Sequence, residues 1–155
     1  MRLPSKTIEK KLFAKGYRRV ISVDEVGMGS LAGPVVVCAV SFDKKFFKKK
    51  HVNLHWLRDS KLLAPRQRDN FVRELLKEKK LKYKIGYCFP KTIDRVNIYQ
   101  AARMAMRRAV SRLVNSRQRI GSIVLIDGPN RIKGLELKQM PIVKGDRKIF
   151  SIACA

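Results

Sequence analysis

The stretch ISVDEVGMGSLAGPVVVCAV, residues 21–40, decides the fold. Ile21 to Val23 open it as an apolar strand, and Asp24 and Glu25 place two adjacent carboxylates at that strand's end. The chain then turns through Gly27, Gly29 and Gly33 and resumes as a β-branched run, Val35-Val36-Val37. Two strands so close in sequence, about Arg19 to Val26 and about Pro34 to Phe42, predict an antiparallel hairpin. Acids at the end of a buried strand are costly to desolvate unless a proton or a cation compensates them. They stand out further because the chain holds 12 acidic residues against 36 basic ones.

Composition frames this stretch. A chain of 155 residues is one domain with room for a real core, and 45% hydrophobic content excludes a disordered basic tail. A net charge of +24 repels itself and attracts polyanions, of which nucleic acid is the commonest. Cys38, Cys88 and Cys154 are odd in number and contain no CxxC pair, which argues against a zinc ribbon or a disulfide framework. Buried thiols at Cys38 and Cys88 suit a reducing cytosol, so a cytoplasmic location is expected. No apolar run reaches the ~18 residues of a membrane helix. The N-terminal MRLPSKTIEKKLFAKGYRR lacks the apolar centre of a signal peptide.

The remaining elements follow from periodicity and punctuation. Residues 1–17 read as a short basic helix around Ile8, Leu12 and Phe13. Asp43 to His55 reads as a basic loop whose lysines track phosphate while Phe46 and Phe47 reach the core. His51 and His55 have a helical metal-ligand spacing, but nothing nearby predicts a helix or supplies a carboxylate, so no site is assigned. Leu57 to Ala64 is a loop, and Pro65 opens a helix with Phe71, Val72, Leu75 and Leu76 facing the core. Tyr83 to Phe89 is a strand stopped by Pro90. A long helix over about Thr92 to Asn115 buries Ile98, Ala102, Ala105, Ala109 and Leu113 and presents Arg103, Arg107, Arg108 and Arg112 on its other face. Ser122 to Ile126 is apolar throughout, as in the centre of an α/β sheet. Residues 139–143 form a last strand, and a helix can begin over 147–155. The order predicts an α/β fold, one mixed β-sheet flanked by helices.

Strand ends now offer acids at Asp24 with Glu25, at Asp127 and at Asp146, each near a glycine that lets a ligand or another backbone come close. Converged, they would supply the oxygen donors that Mg²⁺ or Mn²⁺ prefer. Two such ions ~3.5–4 Å apart are the usual device for phosphodiester hydrolysis, one generating the nucleophile and one stabilising the leaving oxygen. The basic remainder would hold the polyanion. Adjacent residues of a regular strand point to opposite faces, so Asp24 and Glu25 share a site only if the strand ends or bulges there. Each acid alone also reads as a turn or cap residue, and for Asp127 by itself that reading wins. A dinucleotide-binding reading of Gly27-x-Gly29-x-x-Ala32 fails because Pro34 and three valines follow where a helix must open.

VDEVGMGSLAGPVVVCAV resembles the first signature of the ribonuclease HII family. So do RDSKLL (58–63), NIYQAARMAMRRAV (97–110), LIDG (125–128) and VKGD followed by SIACA (143–155), in the family's order over most of the chain. The resemblance implies a single ribonuclease H-like catalytic domain over 1–155, with the family's C-terminal helices and a ribose-packing tyrosine missing from this sequence. It implies a metal-dependent endonuclease that cuts the RNA strand of RNA–DNA hybrids, and single ribonucleotides in duplex DNA, leaving a 3′-hydroxyl and a 5′-phosphate. Asp24, Glu25, Asp127 and Asp146 are then the catalytic and metal-binding carboxylates, with Mg²⁺ or Mn²⁺ as cofactor. Gly27, Met28 and Gly29 read the ribose 2′-hydroxyl through their backbone, and Ser60 and Lys61 lie near the substrate. Met28 stands where the family usually has arginine and cannot donate a hydrogen bond, which weakens positioning. The expected partner is an RNA–DNA hybrid or ribonucleotide-containing duplex, with no membrane, and the protein is expected to act as a monomer. The alternatives are an impaired basic nucleic-acid-binding protein on the same scaffold, or a resolvase of the same fold, against which the Asp-Ser-Lys and Lys-Gly-Asp elements speak.

Overall fold

In the computed structural model, which describes residues 3–49 and 51–155, the expected hairpin forms the middle of the sheet. Its strands are β1 (Arg19–Val26) and β2 (Val35–Asp43), paired antiparallel from Arg19–Asp43 to Val26–Val36. β3 (Lys82–Cys88) adds antiparallel to β2, whereas β4 (Ser122–Asp127) pairs parallel to β1 and β5 (Lys138–Ile142) parallel to β4. The five strands form one mixed sheet, as the element order predicts, in the order β3-β2-β1-β4-β5.

The helices are α1 (Thr7–Ala14), α2 (Lys44–Lys48), α3 (Pro65–Leu76), α4 (Pro90–Val96), α5 (Ile98–Leu113), α6 (Ser116–Arg119) and α7 (Phe150–Ala153). Strand alternation divides the core between the two sheet faces. Ile21, Val23, Val35, Val37, Val124 and Ile126 face α5, whose Ala102, Ala105, Ala109 and Leu113 are buried as the periodicity requires. Val20, Val40, Phe42, Ile123 and Leu125 face the other way, onto Leu12 and Phe13 of α1, Phe46 and Phe47 of α2, and Phe150 and Ile152 of α7. The small α5 residues let the helix lie close to the sheet, and the aromatic residues fill the wider space opposite.

Several expectations change in detail. The helix expected over 92–115 breaks at Asn97, which takes φ 70 and caps α5 by accepting the Gln100 backbone N–H at 3.0 Å. Asparagine tolerates the left-handed region and is a strong N-cap, whereas hydrophobic periodicity runs on across the break and hides it. Pro90 both ends β3 and starts α4. The basic loop after β2 contains α2, because the Asp43 side chain accepts the Phe46 N–H at 3.0 Å and the two aromatics are driven into the core. Positions 1, 2 and 50, which belong to the expected N-terminal helix and lysine run, lie outside the described residues. His51 stacks on Phe46 with ring centroids 4.1 Å apart and meets Lys6 Nζ at 3.1 Å, while His55 packs edge-on to Trp56. On α3 only Leu75 is buried. Val72 and Leu76, expected in the core, are 52% and 54% exposed and form an open apolar groove with Tyr83 and Ile85, beside Ala155.

One buried acid holds the N-terminal segment in place. Glu9 is fully buried, and its Oε1 accepts the Ser151 backbone N–H at 2.8 Å while Oε2 has no partner. Ser151 Oγ in turn accepts the Ser22 hydroxyl at 2.7 Å, linking α1, α7 and β1. Burial raises the Glu9 pKa above its ordinary 4.5, with the Ser151 N–H pulling the other way. The folded state therefore favours the protonated acid. The stability this group contributes is complete below 4.5 and is lost as pH rises through the raised value. Glu9→Gln is expected to unfold at a higher temperature than wild type at pH 8 and to change less between pH 5 and pH 8. Glu9→Ala, which leaves the Ser151 N–H unpaired, is expected to lose about 1–3 kcal/mol at both pH values. Thermal unfolding followed by circular dichroism measures both.

Candidate active site

The parallel pair β1–β4 brings the first two acids together. The register sets Val23 against Ile126, so one step further Asp24 stands beside Asp127, both on the α7 face of the sheet. β1 passes the end of its pairing with β4 at this point but stays paired with β2 as far as Val26. The difficulty with adjacent acids is thus resolved without a bulge. Glu25 starts on the α5 face, but beyond the β4 pairing it is open to the shared sheet edge. There it feels the charges of Asp127, Lys61 and Asp146, and it lines the same cleft of about 290 Å³ as Asp24 and Asp146.

Asp146 arrives from the turn after β5. Asp127 Oδ1 accepts the Gly145 N–H at 2.6 Å as well as the Gly128 N–H at 3.0 Å, which pins this turn to the end of β4. A Cβ on Gly145 would lie 2.6 Å from Ile152 Cδ1, 3.1 Å from Ile142 O and 3.2 Å from Asp127 Oδ1, so a larger residue would have to push the Ile152 tip aside and crowd the Asp127 contact. Gly145 O accepts the Lys148 and Ile149 N–H groups at 3.0 and 2.8 Å, and the turn runs straight into α7.

Burial comes first in raising these carboxyls, and like charge adds to it. Asp24 is pushed up to about 7 by burial, then by Asp127, with smaller contributions from Glu25 and Asp146 and the Glu25 N–H pulling down. Glu25 is raised by burial and Asp127 while Lys61 lowers it. Asp146 is raised by burial, Asp127 and Asp59, against Arg147. The neighbouring Cys38 thiol, opposite Asp24 in the hairpin, is pushed up to about 11 by burial and Asp24, so it is unreactive.

The donors are all oxygen, which suits a hard divalent cation. One oxygen each of Asp24, Asp127 and Asp146 is held by backbone N–H groups, namely those of Glu25 (2.8 Å), of Gly128 and Gly145, and of Arg147 (2.9 Å). The other oxygen of each has no hydrogen-bond partner among the described residues. Among the described residues, no three acids, histidines or cysteines close into a ready metal-holding group. The four carboxylates share one edge, where Asp127 adds to the raised pKa of each of the other three.

The expected substrate residues flank this edge. Gly27 has φ +100, and a Cβ there would stand 2.7 Å from Pro34 O, so the loop after β1 depends on glycine at this position. Met28 packs its side chain on the α5-side core, whereas Gly29 is exposed. Ser60 and Lys61 lie in a single 3₁₀ turn, Ser60–Leu62, capped by Asp59, whose Oδ1 accepts the Lys61 N–H at 3.0 Å. Asp59 is only 2% exposed, and its Oδ2 accepts Arg147 Nε at 3.0 Å. It appeared in the sequence only as part of RDSKLL. Its one signal there was the cap position two residues before Lys61.

A family model for ribonuclease HII matches residues 21–155. The chain belongs to the ribonuclease HII family. It is 40% identical over 148 residues to ribonuclease HII of Caldicellulosiruptor saccharolyticus, covering 96% of this chain and 66% of that protein. The ribonuclease HII of Clostridioides difficile is 39% identical over 147 residues, 95% of this chain and 53% of its own length. The chain thus spans between about half and two thirds of these relatives. Among solved structures, the ribonuclease H2 of Pyrococcus horikoshii superposes with a TM-score of 0.67 at 25% identity, over 88% of this chain and 68% of that one. A Bst-RNase HIII in complex with Mn²⁺ superposes at 0.65 and 17% identity, over 93% of this chain and 51% of that one, and shows the shared fold.

Without a divalent cation, Asp24→Asn is expected to stabilise the protein. The folded pKa of about 7 lies above the ordinary 3.8, so stability is lost as pH rises between these values and the full cost is carried at pH 8. Removing the charge should raise the unfolding temperature at pH 8 by roughly 5 °C or more. Millimolar Mg²⁺ or Mn²⁺ should raise the wild-type temperature and move the variant much less. Differential scanning fluorimetry with and without chelator reads both.

Proposed function

We propose that the protein is a divalent-metal-dependent endonuclease that cuts the RNA strand of RNA–DNA hybrids and single ribonucleotides in duplex DNA. One observation carries the reading: Asp24 and Asp127 stand side by side at the ends of parallel strands, with Glu25 and Asp146 at the same edge, in a chain of net charge +24. Acids are held together here against their own repulsion while the rest of the molecule is built to attract a polyanion. Membership of the ribonuclease HII family gives that arrangement its substrate class.

In this reading Asp24, Glu25, Asp127 and Asp146 hold Mg²⁺ or Mn²⁺, and the Mn²⁺ complex of a ribonuclease HIII of the same fold supports the choice of metal class. When bound, the metal lowers the pKa of a water and stabilises the leaving oxygen. The chain itself does the positioning. Backbone N–H groups fix one oxygen of Asp24, Asp127 and Asp146 and turn the other outward. The Gly27–Gly29 backbone, in a turn that packs against Pro34 because Gly27 has no Cβ, approaches the ribose 2′-hydroxyl that distinguishes RNA from DNA. Met28 serves as an apolar anchor for this loop rather than a donor to phosphate. Lys61 and Ser60 meet the phosphate backbone beside the cut. The cysteines stay reduced in a cytoplasmic setting, and no helix among the described residues is long and apolar enough to cross a membrane.

The test is a labelled DNA duplex with one ribonucleotide, incubated with Mg²⁺ and with Mn²⁺. Metal-dependent cutting beside the ribonucleotide is expected, with a loss of roughly a hundredfold or more in Asp127→Asn. Tight, salt-sensitive binding without cutting would instead favour an impaired nucleic-acid-binding protein. Lys61→Ala is expected to weaken binding of every sequence and to reduce the slope of log affinity against log salt by about one. An unchanged slope removes Lys61 from the phosphate contacts.

A further inference from the structure

We propose that Asp59 is a positioning residue that holds the Arg147 guanidinium away from Asp146 and so keeps the fourth carboxylate available to a divalent cation. The inference rests on the metal-dependent reading above and goes beyond it, because Asp59 is not itself one of the cation's ligands.

Arg147 follows Asp146 directly, and its backbone N–H already bonds Asp146 Oδ1 at 2.9 Å. A guanidinium tethered one residue from a carboxylate is a metal ion's nearest competitor for that carboxylate. It is always charged, it matches a carboxylate in a two-bond fork, and its local concentration is set by the chain rather than by the solution. In this structure the guanidinium makes its hydrogen bond to Asp59 rather than to the neighbouring Asp146. Arg147 Nε donates to Asp59 Oδ2 at 3.0 Å, in a pair whose carboxylate side chain is 2% exposed and whose arginine side chain is 52% exposed.

The anchor is rigid at its buried end. Asp59 Oδ1 caps the Ser60–Leu62 turn through the Lys61 N–H, so the carboxylate has little freedom to follow Arg147 if Arg147 moves. Around it, Arg68 donates to the Ser60 and Leu63 carbonyls at 3.2 and 2.7 Å and braces the same loop. The Asp59–Arg147 pair therefore joins the loop carrying Ser60 and Lys61 to the turn carrying Asp146, 88 residues apart in sequence. A surface ion pair in a basic protein contributes little to stability. A half-buried pair that directs an arginine away from an adjacent acid changes what that acid can bind, as outer partners of metal ligands do.

Calorimetric titration of Mn²⁺ into wild type, Asp59→Asn, Arg147→Gln and the double variant tests this, with Asp146→Asn as control. Asparagine keeps an oxygen for the Lys61 N–H but loses the charge that retains Arg147. Asp59→Asn is expected to bind Mn²⁺ roughly tenfold more weakly. Arg147→Gln is expected to bind at least as tightly as wild type, and the double variant should return to the wild-type value. A double variant as weak as Asp59→Asn would show a structural role only and overturn the proposal, as would unchanged affinity in Asp59→Asn. Should Asp59→Asn fail to fold, Arg147→Gln decides alone, and weaker binding there overturns the proposal. If wild type and the Asp146→Asn control bind Mn²⁺ alike, Asp146 is not a ligand. The metal reading of that acid then fails, an outcome distinct from failure of the Asp59 role.

Discussion

Two strands running in the same direction must finish at the same edge, and the site is built on that constraint. β1 and β4 are parallel and buried on both faces, so their carboxyl ends place Asp24 and Asp127 side by side whatever the loops do. Everything else at the site is brought to this edge. Glu25 reaches it because β1 outruns its pairing with β4, and Asp146 reaches it because Gly145 admits the Asp127 carboxylate to its backbone N–H. The antiparallel hairpin with β2 stiffens β1 from the other side, and α5 seals the face behind it.

The electrostatics of the molecule run in two opposed directions. Most of the surface is basic, and this one edge concentrates negative charge where burial makes it most costly. Backbone contacts hold single oxygens of Asp24, Asp127 and Asp146, which fixes those groups without neutralising them. A fold optimised for stability alone would not bury Asp24 beside Asp127, which is the cost the proposed function accounts for.

Much of this was legible in the residues. The hairpin, the buried character of 122–126 and the alanine stripe on α5 followed from β-branched runs, glycines and spacing, and the four acids followed from their positions at strand ends. What escaped depended on contacts between distant segments. Nothing in the pattern around Asn97 distinguishes one helix from two, since the break is made by a single left-handed residue and its cap. Val72 and Leu76 have the spacing of core residues and are exposed, because periodicity gives a helix face and not what covers it. Nothing in the residues around Glu9 marks it for burial, and only the arrival of Ser151 from the far end of the chain makes it a buried acceptor. Asp59 was hidden in the same way until Arg147 came to meet it.

The pairing of β1 with β4 also has a meaning in time. The β1–β2 hairpin closes over a short loop and can form as soon as that segment exists. The parallel pair joins Val23 to Ile126 across most of the chain, so its loop-closure entropy must be met before any contact there repays it. Asp24 and Asp127 therefore meet only through a long-range pairing of the fold. A nascent or partly unfolded chain already carries the basic residues but has no assembled carboxylate edge, so under the proposed function it would attract a polyanion without cutting it. Under the proposed function, competence to cut arrives only once this long-range parallel pair has formed.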